Sequence, residues 1–276
     1  MRVYCNPVNV PYAYQFKKDP RDRYKMTVNR EAADPSMVMF QGKYYLFASM
    51  TGSVWVSEDM AHWDSYPLPE NMPIYDYAPD VRAIGEYLYF TASSRDVKCS
   101  FYRTKDPIHG PYEEIPGYMD YWDPNLFQDD DGTAYVMYSS EGNAVMYIAK
   151  LNDTYTGLAK DADEMVLGED FCISSTDSRE APAMFKYQGK YYLITSGCTG
   201  WAPNQARYAV ADSPLGPWTN MGNPCVGDTS NNTFETQSTC VIPVDAENGK
   251  FIYMGDRWYN PDNGKDLSDS RYVWLP

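Results

Sequence analysis

The sequence predicts an all-β chain folded as a five-bladed β-propeller, and three observations predict it. A short phrase recurs five times: a small acidic or Ala-Pro element, an apolar run, a Gly-containing turn, then a Tyr-rich strand. The turn glycines fall at 42, 85, 132, 189 and 249, roughly the 40–50-residue period of a propeller blade, stretched in the later copies. Aromatic residues make up 16% of the chain, with 26 Tyr and 7 Trp, which favours strands, and helical periodicity is nearly absent.

Each blade is justified in turn by its own residues. Blade one, expected over residues 30–72, opens on Ala33-Asp34-Pro35, turns at Gly42, returns through Tyr44-Tyr45-Leu46 and adds a third strand at Ser53-Val54-Trp55-Val56. Blade two (75–117) repeats this with Ala78-Pro79-Asp80, Gly85, Tyr87-Leu88-Tyr89 and Phe101-Tyr102-Arg103. Blade three (120–172) has Trp122-Asp123-Pro124 and the hairpin tip Asp129-Asp130-Asp131-Gly132, and its polar stretch Leu158–Leu167 reads as a loop over the blade. Blade four (178–227) has Glu180-Ala181-Pro182, Gly189 and Arg207-Tyr208-Ala209-Val210. Blade five (234–276) is the weakest copy, from Gln237 through Gly249, with Arg271–Leu275 expected to complete it. Closing into a ring limits exposed strand edges, and residues 1–28, chiefly Tyr4 to Phe16, are expected to help seal the ring. The whole span 1–276 is then expected to be one catalytic propeller domain, with a longer natural C-terminus left open.

A net charge of −15 argues against a nucleic-acid partner, because phosphate binding needs a basic surface. No 18-residue apolar run is present, so no membrane span is expected. Residues 1–7 lack the apolar core of a signal peptide, which leaves a cytosolic protein or one whose signal has been trimmed. The six cysteines form no Cys-x-x-Cys pair and the histidines are only His62 and His109, so neither a metal nor another cofactor is expected, and free thiols are preferred to disulfides.

In a propeller the innermost strands all run the same way along the central channel, so residues just before them gather at one mouth. Asp34 precedes Pro35, Asp123 precedes Pro124, and Glu180 lies two before Pro182; three acids from separate blades therefore converge. An isolated Asp-Pro reads as a turn start, but turn chemistry does not account for Glu180. Repulsion and partial burial raise the pKa of at least one gathered acid. An acid kept protonated beside an ionised carboxylate is the equipment of glycoside hydrolysis. Glu31 and Asp80 are rival acids near the same mouth; Asp80, following its proline into the strand, reads as structural. Aromatic residues at this mouth suit the C–H faces of sugars. Tyr77, Trp122, Trp201 and Trp258 are the candidates, with Trp201 preferred because it follows Gly197 and Gly200 in a loop. Gln237 occupies the equivalent slot of blade five, and Arg257 is a candidate polar contact.

The phrases Ala33-Asp34-Pro35, Asp123-Pro124-Asn125-Leu126-Phe127 with Asp129-Asp130-Asp131-Gly132, and Glu180-Ala181-Pro182 together resemble the three acidic signatures of glycoside hydrolase family 43. The likeness covers nearly the whole chain. It implies a five-bladed propeller and hydrolysis with inversion, with Asp34 as general base, Glu180 as general acid and Asp123 tuning and orienting that acid. Thr195–Trp201 and Gly255-Asp256-Arg257-Trp258 resemble the family's exo-acting galactan-degrading branch. That branch lacks the usual base Asp whereas this chain has Asp34, so arabinofuranosidase and β-xylosidase action also stay open. The expected partner is an oligosaccharide or polysaccharide carrying arabinose or galactose. The other classes considered are an inverting glycoside phosphorylase, which needs a basic phosphate pocket from Arg179, Arg257 or Arg271, and a carbohydrate-binding propeller with a decayed site.

Overall fold

The computed structural model describes residues 6–11, 14–19, 22–30, 32–72, 77–93, 99–116, 122–258 and 271–275. Strands β1 (Tyr14–Asp19) and β2 (Asp22–Arg30) form a two-stranded antiparallel hairpin. Next comes an antiparallel four-stranded sheet of β3 (Ala33–Phe40), β4 (Lys43–Ser49), β5 (Ser53–Ser57) and β6 (Asp64–Pro67). A second holds β7 (Tyr77–Ile84), β8 (Tyr87–Ser93), β9 (Phe101–Thr104) and β10 (Glu113–Ile115). The third is β11 (Trp122–Gln128), β12 (Ala134–Ser140), β13 (Val145–Lys150) and β14 (Phe171–Ser175). The fourth is β15 (Arg179–Tyr187), β16 (Lys190–Gly197), β17 (Arg207–Ala211) and β18 (Thr219–Gly222). The last is three-stranded, β19 (Gln237–Asp245), β20 (Lys250–Arg257) and β21 (Arg271–Leu275).

The protein is a β-propeller. Of the five blades expected, four are complete four-stranded sheets and the fifth, the weakest copy in the sequence, has three strands among the described residues. Beside its outer strand lies the N-terminal segment: the Val8 N–H donates to the Tyr272 carbonyl at 2.9 Å, and Trp55 Nε1 donates to the Pro11 carbonyl at 3.2 Å. Val8 and Val10 are buried with Met37, Leu46 and Trp55 of one sheet and Ile242, Met254 and Tyr272 of the other. The expected seal therefore rests on residues 8–11, while Phe16 belongs to the separate β1–β2 hairpin, which the sequence reading missed. Tyr4 and Cys5 lie outside the described residues.

The core is a set of wedges between neighbouring sheets. Phe47 packs towards Phe90 between the first pair, Phe101 and Leu126 join the second, Met137 and Leu193 the third, and Ala183 and Val241 the fourth. A second strand is covered on both faces, so β4 and β8 read as unbroken apolar runs rather than alternating ones. Outer strands β6, β10 and β18 are short, polar and mostly exposed, which blunts their free edges. The 151–170 connection carries no helix and covers the third sheet through Leu158 and Met165, as its polarity predicted.

Each innermost strand breaks register near its start: between Ala33 and Ser36, Tyr77 and Asp80, Trp122 and Asn125, Glu180 and Ala183, and Ser238 and Cys240. In the first four the break holds a proline, which has no N–H for the ladder and is accommodated at a bulge. The residue before each proline is left-handed: Asp34 at φ 49°, Ala78 at 45°, Asp123 at 50° and Ala181 at 48°. Neighbouring sheets lock these bulges. Ser49, Ser93, Ser139 and Ser196, all fully buried, occupy one ladder position of the second strands, facing Ala33, Tyr77, Trp122 and Glu180. Ser49 Oγ accepts the N–H of Ala78 (2.6 Å), Ser93 Oγ accepts that of Asp123 (2.7 Å), and Ser139 Oγ donates to the Arg179 carbonyl (2.7 Å).

Replacing Ser93 with Ala removes the acceptor of a buried N–H, a loss that costs about 1–3 kcal/mol. Urea unfolding of Ser93→Ala is expected to show a destabilisation of that size with an unchanged m-value; less than about 0.3 kcal/mol contradicts the lock.

Candidate active site

The bulges open onto a cavity of about 410 Å3 at one mouth of the channel, lined by Asp34, Tyr77, Asp123, Glu180, Trp201 and Gln237 among others. Asp34 and Asp123 both sit at the left-handed bulge position, a conformation Asp adopts more readily than most residues. Glu180 is one residue earlier: its ladder partner is Ser196, and its counterparts are Ala33, Tyr77, Trp122 and Gln237. The acids thus converge as expected, but from two adjacent ladder positions rather than one.

Asp34 Oδ2 accepts Ser49 Oγ–H at 2.7 Å and Trp201 Nε1–H at 2.9 Å. Among the described residues no donor is bonded to its Oδ1. Glu180 is buried and held at both oxygens, Oε2 accepting from Asn143 Nδ2 at 2.9 Å and Oε1 from Gln237 Nε2 at 3.1 Å. Asp123 Oδ2 accepts the Ala181 N–H at 3.2 Å, joining the third sheet to the fourth. Burial is the main reason each acid holds its proton unusually well. Asp34 is pushed up to about 7, with the charges of Asp123 and Asp256 adding to burial. Asp123 is pushed up to about 7 by burial and by Glu180, and Glu180 to about 7 by burial, with Asp34 adding. Three such groups in one cavity oppose one another's ionisation.

Trp201 is half-buried between Tyr77 (ring centroids 6.3 Å) and Trp258 (4.6 Å). Trp258, itself buried, packs on Ala33 and Trp201 and braces the wall rather than lining the cavity. Arg257 departs from expectation: its guanidinium donates to the carbonyls of Phe234 (2.8 Å) and Glu235 (3.3 Å) and is not among the lining residues. Arg179 is likewise committed, to Thr195 Oγ1 (3.0 Å) and the carbonyls of Thr195 (2.6 Å) and Gln205 (3.2 Å). The side chains of Trp122 and Arg271, and all of Glu31, lie outside the described residues.

Asp80 tethers three sheets, accepting from Ser36 Oγ (2.7 Å), Asn125 Nδ2 (3.1 Å) and the Leu126 N–H (2.6 Å), which fits its reading as structural. His62 and His109 lie in exposed turns bonded to Asp59 and Asp106. The described cysteines, at 99, 172, 198, 225 and 240, are free thiols. Cys198 donates to the Ser178 carbonyl at 3.1 Å beside Glu180, and burial with the Glu180 charge pushes its thiol up to about 12. Ser49, Asn143 and Cys198 escaped the sequence reading; the serine was findable, since Ser closes the second strand of four copies.

The family model for glycosyl hydrolases family 43 matches residues 25–260. The chain belongs to that family. A β-D-galactofuranosidase of Aspergillus niger is 25% identical over 277 residues, covering 85% of this chain and 76% of that protein. A xylosidase/arabinosidase of Humicola insolens is 26% identical over 332 residues, covering 88% and 98%. Among solved structures, a family 43 β-1,3-galactosidase with galactodeoxynojirimycin superposes with TM-score 0.73 at 28% identity, over 89% of this chain and 90% of that one. An exo-β-1,3-galactanase from Clostridium thermocellum gives 0.68 at 27%, over 89% and 59%. This family 43 member is a glycosidase.

A carboxyl group with a raised folded pKa binds more protons folded than unfolded, so stability falls as pH rises from about 4 to about 7. Asp34→Asn removes one such group and can keep both hydrogen bonds through its amide oxygen. Its unfolding free energy is expected to exceed that of the parent by on the order of 2 kcal/mol at pH 8 and to match it near pH 4. An equal difference at both pH values contradicts the burial-strained carboxyl.

Proposed function

We propose that this family 43 enzyme is an inverting, exo-acting glycosidase that removes terminal galactose, or alternatively arabinofuranose, from plant polysaccharide side chains. One observation carries the reading: three acids from three blades face a single cavity of about 410 Å3, walled by Trp201 and Tyr77. That volume is in the range of a small-ligand pocket, suited to a chain end rather than the middle of a polymer. Galactose is placed first because the 27–28% identical structures are a β-1,3-galactosidase and an exo-β-1,3-galactanase.

Asp34 is the general base. Ser49 and Trp201 hold Oδ2, so Oδ1 is the atom left to take a proton from water as that water attacks the anomeric carbon. Glu180 is the general acid, aimed by Asn143 and Gln237 and giving its proton to the departing oxygen. Once Asp34 has taken a proton it no longer raises the Glu180 pKa, which eases that donation. Asp123, whose Oδ2 accepts the Ala181 N–H next to Glu180, orients that acid and moves no proton itself. Two of the three arginines a phosphate pocket would need, Arg179 and Arg257, are spent on backbone carbonyls, which favours hydrolysis over phosphorolysis.

Nitrophenyl galactoside, arabinofuranoside and xyloside, assayed with and without phosphate, are expected to release free sugar independently of phosphate. Glu180→Gln should lose roughly 10²–10⁴-fold on a natural disaccharide and much less on activated aryl glycosides. Near-normal turnover of the disaccharide by this variant contradicts the assignment.

A further inference from the structure

The serine at the shared ladder position of the second strands is replaced in one sheet. That position holds Ser49, Ser93, Ser139 and Ser196 in four sheets, but Asp256 in the fifth, opposite Gln237. This is the sheet that closes the ring onto blade one. Asp256 is 1% exposed, and its Oδ2 accepts the main-chain N–H of Asp34 at 3.0 Å, as Ser93 accepts that of Asp123. Gly255 before it has no room for a side chain, because a Cβ would collide with the Thr236 hydroxyl, so the strand is seated firmly. At Ala78 and Asp123 a neutral serine accepts the N–H of the left-handed residue, and at Ala181 the cavity acid Asp123 does; only at Asp34 does a carboxylate outside the cavity lining take that place.

We propose that Asp256 is a positioning residue for the reaction: it fixes the left-handed main chain of Asp34 and places its carboxylate behind that carboxyl, making Asp34 a stronger base. This rests on the reading of Asp34 as the base. The groups facing Asp34 are Ser49 from β4, Trp201 from the 198–206 loop, Asp123 from β11, Glu180 from β15 and Asp256 from β20, with Asp80 of β7 lining the same cavity. Two neutral donors favour the carboxylate, whereas the acids oppose it, and Asp256 is the acid attached to the main chain of Asp34 itself. The charge of Glu180 changes during the reaction, and Asp123 lines the cavity itself rather than standing behind the base. Asp256 is buried and stands outside the cavity lining.

The test uses two variants of the full chain. Asp256→Asn keeps the shape and an acceptor, and Asp256→Ser installs the residue that the equivalent positions already carry. Carboxyl ¹³C NMR of aspartate-labelled protein follows the Asp34 titration directly, and the acidic limb of kcat/KM follows it through activity. Both variants should move the Asp34 titration and the acidic limb down by on the order of one pH unit. The rate at the pH optimum should fall, as expected of a weaker base. An Asp34 titration that stays in place in folded variants overturns the proposal, as does a rate loss with no shift of either curve. If the NMR titration moves and the acidic limb does not, Asp256 acts on Asp34 as stated and the assignment of Asp34 as base is what fails.

Discussion

The site depends on a bulge that the sequence forces into the innermost strands. A proline in such a strand cannot join the ladder, and the residue before it turns left-handed. For Ala78 and Ala181 that conformation costs roughly 1–2 kcal/mol. It persists because neighbouring sheets take up the backbone groups that the bulge releases, through buried serines and, at ring closure, an aspartate. The same hydrogen bonds that hold blade to blade also set Asp34 and Asp123 at the cavity. Fold closure and acid placement are one constraint.

The chemistry follows from what this frame excludes. The guanidinium groups of Arg179 and Arg257 are turned to backbone carbonyls. Among the described residues, the carboxyls of Asp34 and Glu180 meet amide, hydroxyl and indole donors in place of salt bridges. Such donors orient a carboxylate without pinning it in the ionised form, whereas a buried ion pair would lower its pKa far more. Acids that titrate near neutrality, and whose charges respond to one another, can exchange base and acid states within one turnover.

Much of this was legible in the sequence because it repeats. The glycine turns, the proline-marked strand starts and the unbroken apolar second strands each recur, so weak local signals reinforce one another. Glu180 stood out as an acid beside a proline phrase that otherwise carries small residues. What escaped is set by geometry that no local pattern records. Asn143 reads as a hairpin residue after Glu141-Gly142, and only the packing of the third sheet against the fourth brings its amide to Glu180. Arg257 and Asp256 are adjacent at the end of one strand; their identities do not tell which faces Asp34 and which turns to the 233–236 loop. The β1–β2 hairpin, rich in Lys, Arg and Asp, lacks the apolar phrase that betrays the blades.

The central claim is that Asp34 and Glu180 act on opposite sides of one bond, with water entering directly. Proton NMR of the first-formed sugar, recorded before mutarotation, tests this most directly. The account predicts that hydrolysis of a β-galactoside initially yields α-galactose; initial β-galactose would mean a covalent intermediate and contradict it.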